Sequence, residues 1–278
     1  LVPDTVIAEV EENLMHLEWI LKDMLLGENI MLAGEAGVGK NTIERYLAHL
    51  LHYNILIAGM SGQTKVSDFQ TYRSFGEEET GKTGDTATLV LSAMTDEQRQ
   101  WLVVLDEANK AQPGVLVALN DLLQDKGLRL PDGRELPIIN PVFVNINPNR
   151  PPYEVHDFSF EFMDRFARHN IKHPPEEQAV EILMQKYPQA DADFVQDVVA
   201  AIYGLHPLFS DGILFEPVTM RNIEAAVEKG LQRPQEAVNL IDLVAVSYVP
   251  MDDKEKDDIR KTLKEKGFDR QIIPSQEE

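Results

Sequence analysis

Residues 29–51 constrain this chain more than any other stretch. Asn29–Ala33 (NIMLA) is a short apolar run. It leads without a break into Gly34-Glu35-Ala36-Gly37-Val38-Gly39-Lys40-Asn41, and Lys40 to Leu51 has the spacing of a helix. Glycine tolerates positive φ, so such a loop can turn successive backbone N–H groups inward around an anion. The N-terminus of the following helix adds partial positive charge. A lysine at the loop's end adds a point charge suited to phosphate. Strand, glycine loop and helix in this order make the phosphate-cradling pattern, with four residues between Gly and Gly-Lys. Gly34, Glu35, Ala36, Gly37, Val38, Gly39, Lys40, Asn41 and Thr42 are therefore the candidate nucleotide-binding residues. A bare glycine turn between strand and helix would need neither the lysine nor this order.

One position departs from the pattern. Ser or Thr usually follows the lysine, and its hydroxyl holds Mg²⁺. Here Asn41 stands in that place. An amide oxygen can also ligate Mg²⁺, which accepts oxygen donors and keeps several waters. Thr42 points about 100° further round the helix and is no simple substitute. Trp101–Leu105 (WLVVL) is uniformly apolar, as a central parallel strand should be, and ends in Asp106-Glu107. A strand delivering two acids at its end suits hydrolysis of a phosphoanhydride. Asp106 is the expected Mg²⁺ ligand beside Asn41, and Glu107 the group that polarises the attacking water. Asp106 as a helix N-cap is the plainer alternative, but it gives Glu107 no reason to follow.

The rest of the chain places these motifs in an α/β frame. Apolar spacing predicts a helix over 5–25 and strands at 29–33, 54–58, 101–105, 141–146 and 168–172. Helices are expected at 40–51, 86–99, 113–124 and 158–164. Residues 60–85 are polar and read as a long loop or insertion. Asp132-Gly133 between two alternating stretches predicts a hairpin over 128–139. After Pro174-Pro175 the pattern becomes helical, at 176–186, 191–204, 219–231 and 234–248, with no strand between. Three parts are expected: an α/β nucleotide-binding domain over 1–174, a helical lid over 175–250, and a charged helix or frayed tail over 251–278.

Composition narrows the function further. The 278 residues carry 26 Lys plus Arg against 47 Asp plus Glu, a formal charge of −21. That balance disfavours nucleic acid and anionic lipid as partners. Cysteine is absent, which removes disulfides, thiolate metal sites and thiol catalysis. No apolar run reaches the roughly 18 residues of a membrane helix. The acidic N-terminus does not resemble a signal peptide, so a cytoplasmic location is the expectation. The chain begins at Leu1, which leaves room for a longer protein.

GEAGVGKN, then VVLDEAN, then VNINPN and FMDRF resemble the core of an AAA+ ATPase. Their order is similar to the MoxR and dynein-related branch, which includes CbbQ, NorQ, GvpN and ATPases that carry von Willebrand A domains. The resemblance covers about residues 5–250. It implies an α/β P-loop fold with a helical lid, ATP and Mg²⁺ as cofactors, and a ring of subunits, six in the usual case. It implies that Asn147 is the polar residue that senses the lytic water, with Asn145 the runner-up. It implies that Arg165 is the arginine finger for a neighbour's site, with Arg168 as rival, and that Arg221 contacts the γ-phosphate from the lid. Phe69, Tyr72 and Phe75 on the first insertion, and Arg129 and Arg134 on the hairpin, would face a client. That client would be a von Willebrand A domain protein or a metalloenzyme needing activation. A nucleotide-gated module with slow hydrolysis, or a nucleic-acid-associated NTPase, are the competing readings. The pairs His49 with His52 and His169 with His173 lack a third ligand and read as packed or satisfied histidines.

Overall fold

The computed structural model describes residues 11–69, 71–75, 83–124, 126–129, 135–149, 153–248 and 252–275. They fall into two compact units. The first holds residues 14–35 and 39–171. The second holds the residues from Lys172 onward, with the short segments 11–13 and 36–38.

In the first unit, α1 (Glu11–Leu25) precedes β1 (Asn29–Ala33), α2 (Lys40–Leu51) and β2 (Asn54–Gly59). A hairpin of β3 (Thr71–Phe75) and β4 (Thr83–Ala87) follows, then α3 (Leu89–Met94), β5 (Trp101–Asp106) and α4 (Pro113–Gln124). A second hairpin, β6 (Gly127–Arg129) and β7 (Glu135–Pro137), leads to β8 (Val142–Ile146), α5 (Phe160–Met163) and β9 (Phe166–Asn170). Five strands form one parallel sheet in the order β2-β5-β8-β1-β9. The three inner strands are apolar on both faces because helices cover both. Leu102 to Leu105, Val142 to Val144, Ile30 and Leu32 are fully buried. The edge strands β2 and β9 keep partial exposure.

The second unit is built from α6 (Glu176–Lys186), α7 (Ala192–Tyr203), α8 (His206–Ser210), α9 (Met220–Leu231), α10 (Leu240–Tyr248) and α11 (Asp253–Glu265). A two-residue pair, β10 (Val238–Asn239) with β11 (Gln271–Ile272), closes it. Phe194, Val198, Ile223, Val227, Val244, Ile259 and Leu263 form its core. Each such side chain contributes about 1.5–3 kcal/mol on burial. Among the described residues, no helix is long and apolar enough to cross a membrane.

Several elements differ from the sequence reading. The expected helix over 86–99 covers only Leu89–Met94. Thr88 caps its start, and Asp96 folds the chain into a turn by accepting the N–H groups of Gln98 and Arg99. The polar segment 60–85 contains β3 and the start of β4 rather than an open loop. The helix expected over 234–248 begins at Leu240, because Val238 and Asn239 pair with β11. The C-terminal segment is not a frayed tail through Ser275. Ile259 and Leu263 are fully buried, and Ile272 and Ser275 are buried too. The tip of the expected 128–139 hairpin lies outside the described residues, as does the N-terminal part of the first helix.

Candidate nucleotide-binding site

Three neighbouring strands deliver the site. β1 pairs with β8, and β8 with β5, all parallel, with Ala33 opposite Ile146 and Leu105 opposite Val144. Their C-terminal ends therefore open on one edge of the sheet, where ligands bind in open α/β folds. The glycine loop after Ala33, the acids after Leu105, and Asn145 and Asn147 of the third strand arrive side by side.

Gly37 and Gly39 hold φ of 77° and 95°, a left-handed backbone that suits glycine. Gly39 is the N-cap of α2 and brings no side chain to the helix's first N–H groups. Lys40 is buried at the head of that helix. Its ammonium donates to the carbonyls of Gly34 at 2.6 Å and Glu35 at 2.8 Å, and to Asn147 Oδ1 at 3.1 Å. Asn147 in turn donates from Nδ2 to Glu107 Oε1 at 3.5 Å. One amide thus joins the loop lysine to the second acid.

Asn147 is held by Asn109, a residue that sequence reasoning did not single out. Asn109 Nδ2 donates to the Asn147 carbonyl at 2.7 Å, and its Oδ1 accepts the Asn147 N–H at 3.3 Å. Glu107 has φ of 54°, an uncommon conformation for a residue with a Cβ. It also pairs with Lys110 Nζ at 2.8 Å. Asp106 does not cap the short turn that follows; its Oδ1 accepts the N–H of Glu107 at 3.1 Å.

A second cluster surrounds Asn41. Its Nδ2 donates to Asp106 Oδ2 at 3.0 Å, and its Oδ1 accepts from Asn145 Nδ2 at 2.8 Å. Asn145 Nδ2 also lies 3.1 Å from Asp106 Oδ1 and 3.2 Å from Glu44 Oε2. Glu44, one turn after Lys40, is fully buried. Burial pushes its carboxyl well above the usual range. Asn145 and Lys40 oppose that shift, and the charge of Asp106 adds to it. Glu44 Oε1 and Asn145 Oδ1 are buried without a hydrogen-bond partner.

This donor set bears on Mg²⁺. The ion prefers hard oxygens and is often held by one or two carboxylates plus phosphate. Asp106 fits that role. Asn41, the other expected ligand, turns its N–H rather than its oxygen toward Asp106.

The remaining expected residues stand elsewhere. Thr42 is exposed on α2. Arg165 lies along α4, with Nε 3.5 Å from Asn120 Oδ1 and a terminal nitrogen 2.8 Å from Gln124 Oε1. Arg221 is exposed on the first turn of α9, in the second unit. Glu224, one turn further along α9, pairs with Lys186 at 3.0 Å. Phe69 is buried in the core of the first unit, not presented outward. The side chains of Tyr72, Phe75 and Arg129, and all of Arg134, lie outside the described residues. His169 bonds Asp23 at 2.8 Å, as a satisfied histidine should.

A parallel five-stranded sheet whose inner strands carry a glycine loop with lysine, an Asp-Glu pair and a polar third strand defines an AAA+ P-loop ATPase domain. Comparison with known families agrees: residues 29–166 match the model of the AAA domain family, dynein-related subfamily. The chain is similar to von Willebrand factor A domain-containing protein 8 of Mus musculus, 28% identical over 260 residues. That match takes in 86% of this chain but 13% of the mouse protein, so the chain spans a small part of its relative. It also bears a distant likeness to a crystal structure of a provisionally assigned ATPase from Cytophaga hutchinsonii. There the TM-score is 0.49 and the identity 14%, over 97% of this chain and 84% of the other.

Proposed function

We propose that this chain hydrolyses ATP within a ring of like subunits and uses the cycle to remodel or activate a protein partner. The observation that carries the reading is Asn147, whose side chain links Lys40 to Glu107. Lys40 and the N–H groups of 34–41 bind the phosphates, and Arg221 adds a contact from the lid. Glu107 orients a water for in-line attack on the γ-phosphorus, with Asn147 holding Glu107 in place. Asp106 would hold Mg²⁺, which would supply neutralising charge to the phosphates. Lys110 must release Glu107 as the water takes its place. Arg165 of a neighbouring subunit stabilises the transition state. Such a finger is worth about 10³–10⁵ in rate in related phosphoryl transfers.

The name of the mouse relative supports a client with a von Willebrand A domain; the resemblance to the MoxR branch also allows a metalloenzyme. The charge of −21 argues against nucleic acid as that client. A cytoplasmic site of action remains part of the proposal. One observation favours slow turnover in a nucleotide-gated assembly: the N–H of Asn41 on Asp106 occupies the carboxylate that a cation needs.

Mixing two inactive variants tests the ring. Arg165→Ala lacks the finger but keeps its own loop, and Lys40→Ala lacks the loop lysine but keeps its finger. Each alone is inactive in this account, and the mixture regains turnover because one supplies what the other lacks. A mixture as inactive as its parts, or a fully active Arg165→Ala, contradicts it.

A further inference from the structure

The cluster behind the loop lysine has a polarity that runs in one direction. Asn145 turns its NH₂ group toward the buried Glu44 Oε2. That N–H group then faces the oxygen of Asn41, and the nitrogen of Asn41 is left facing Asp106. Reversing the Asn41 amide would set an oxygen against a carboxylate and two NH₂ groups against each other. Both contacts are repulsive while Asn145 presents its NH₂ group, so that arrangement holds the Asn41 amide as observed.

The consequence falls on Asp106. Its carboxylate accepts the N–H of Asn41 at 3.0 Å and the backbone N–H of Glu107 at 3.1 Å, and Asn145 Nδ2, whose two hydrogens are shared with Asn41 and Glu44, lies 3.1 Å away. Charge-assisted bonds of this kind are about twice as strong as neutral ones and disperse the carboxylate's charge. A bare carboxylate beside the loop would repel an incoming polyphosphate unless a cation came with it. Here the repulsion is already reduced by the protein's own donors.

We propose that nucleotide binding at this site does not depend on a divalent cation, because Asn41 presents an amide N–H, not an oxygen ligand, to Asp106. This rests on the site being a nucleotide site. It concerns the binding step: Asn41 serves as an internal counter-group for Asp106, with Asn145 and Glu44 as the positioning residues that fix its amide. A leucine at position 41 would present neither an N–H nor an oxygen to Asp106. Asp106 would lose its strongest-placed donor, and binding would come to need the cation.

Equilibrium binding of the fluorescent analogue mant-ATP, with excess Mg²⁺ and separately with EDTA, tests this in wild type and Asn41→Leu. The account expects the wild-type Kd to change less than about 3-fold on removing the cation. It expects Asn41→Leu to weaken by more than about 10-fold on removing the cation, the equivalent of losing one charge-assisted contact. A wild-type loss of 10-fold or more overturns the proposal. So does a wild type and a variant that respond alike. Absence of mant-ATP binding under both conditions would instead overturn the nucleotide-site reading, and the cation proposal with it.

Discussion

Glu44 is the residue whose chemistry differs most from what its position in the sequence suggests. It reads as one more acid on an amphipathic helix, yet it is fully buried, within reach of Asn145, a residue far along the chain. Its folded carboxyl titrates above the ordinary value of 4.5, with desolvation the leading cause. The native state therefore keeps a proton that the unfolded chain has already released. Stability is fullest below the unfolded value and falls as pH rises toward the folded one. Glu44→Gln removes that slope while keeping an acceptor for Asn145. The variant should gain on wild type in thermal unfolding as pH rises above the ordinary Glu value of 4.5. An unchanged difference in Tm as pH rises contradicts the assignment. The loop glycines, Lys40, Asp106 and Glu107 were legible in sequence because their chemistry demands a local order of residues. Glu44, Asn109 and the orientation of Asn41 were not, because each depends on a partner supplied by another strand.

At the scale of elements, apolar strands and long helices were readable, and short or polar ones were not. β5 announces itself as an apolar run, and β8 as one interrupted only by Asn145. β3 and β4 (TYRSF and TGDTA) do not, since neither has an apolar face in its sequence. α8 spans five residues, too few for a helical period to show. The sequence of α11 is dominated by charge, and only Ile259 and Leu263, four apart, with Glu255, mark the face that is buried. Close packing also decides a glycine. On α9, a Cβ at Gly230 would sit 2.5 Å from the ring of Phe194. Alanine would gain up to about 1 kcal/mol in helix propensity. Overpacking costs about 1–3 kcal/mol, so the clash outweighs the gain. Gly230→Ala should lower the Tm of the second unit, as read by calorimetry. A higher Tm would mean that Phe194 moves aside without loss.

For the whole molecule, the charge of −21 sets a condition on any phosphate ligand. The overall field opposes ATP, so attraction must come from local groups: Lys40, the loop N–H groups and the start of α2. The three central strands concentrate those groups on one edge of the sheet, with Asp106 and Glu107 beside them. The same arrangement makes the central claim, hydrolysis by this site, open to a single direct measurement. That measurement is ATP turnover by wild type and by Glu107→Gln, with nucleotide binding followed in parallel. Loss of the group that orients the water should lower the rate by about 10²-fold or more while binding persists. Equal rates in the two proteins would contradict the account.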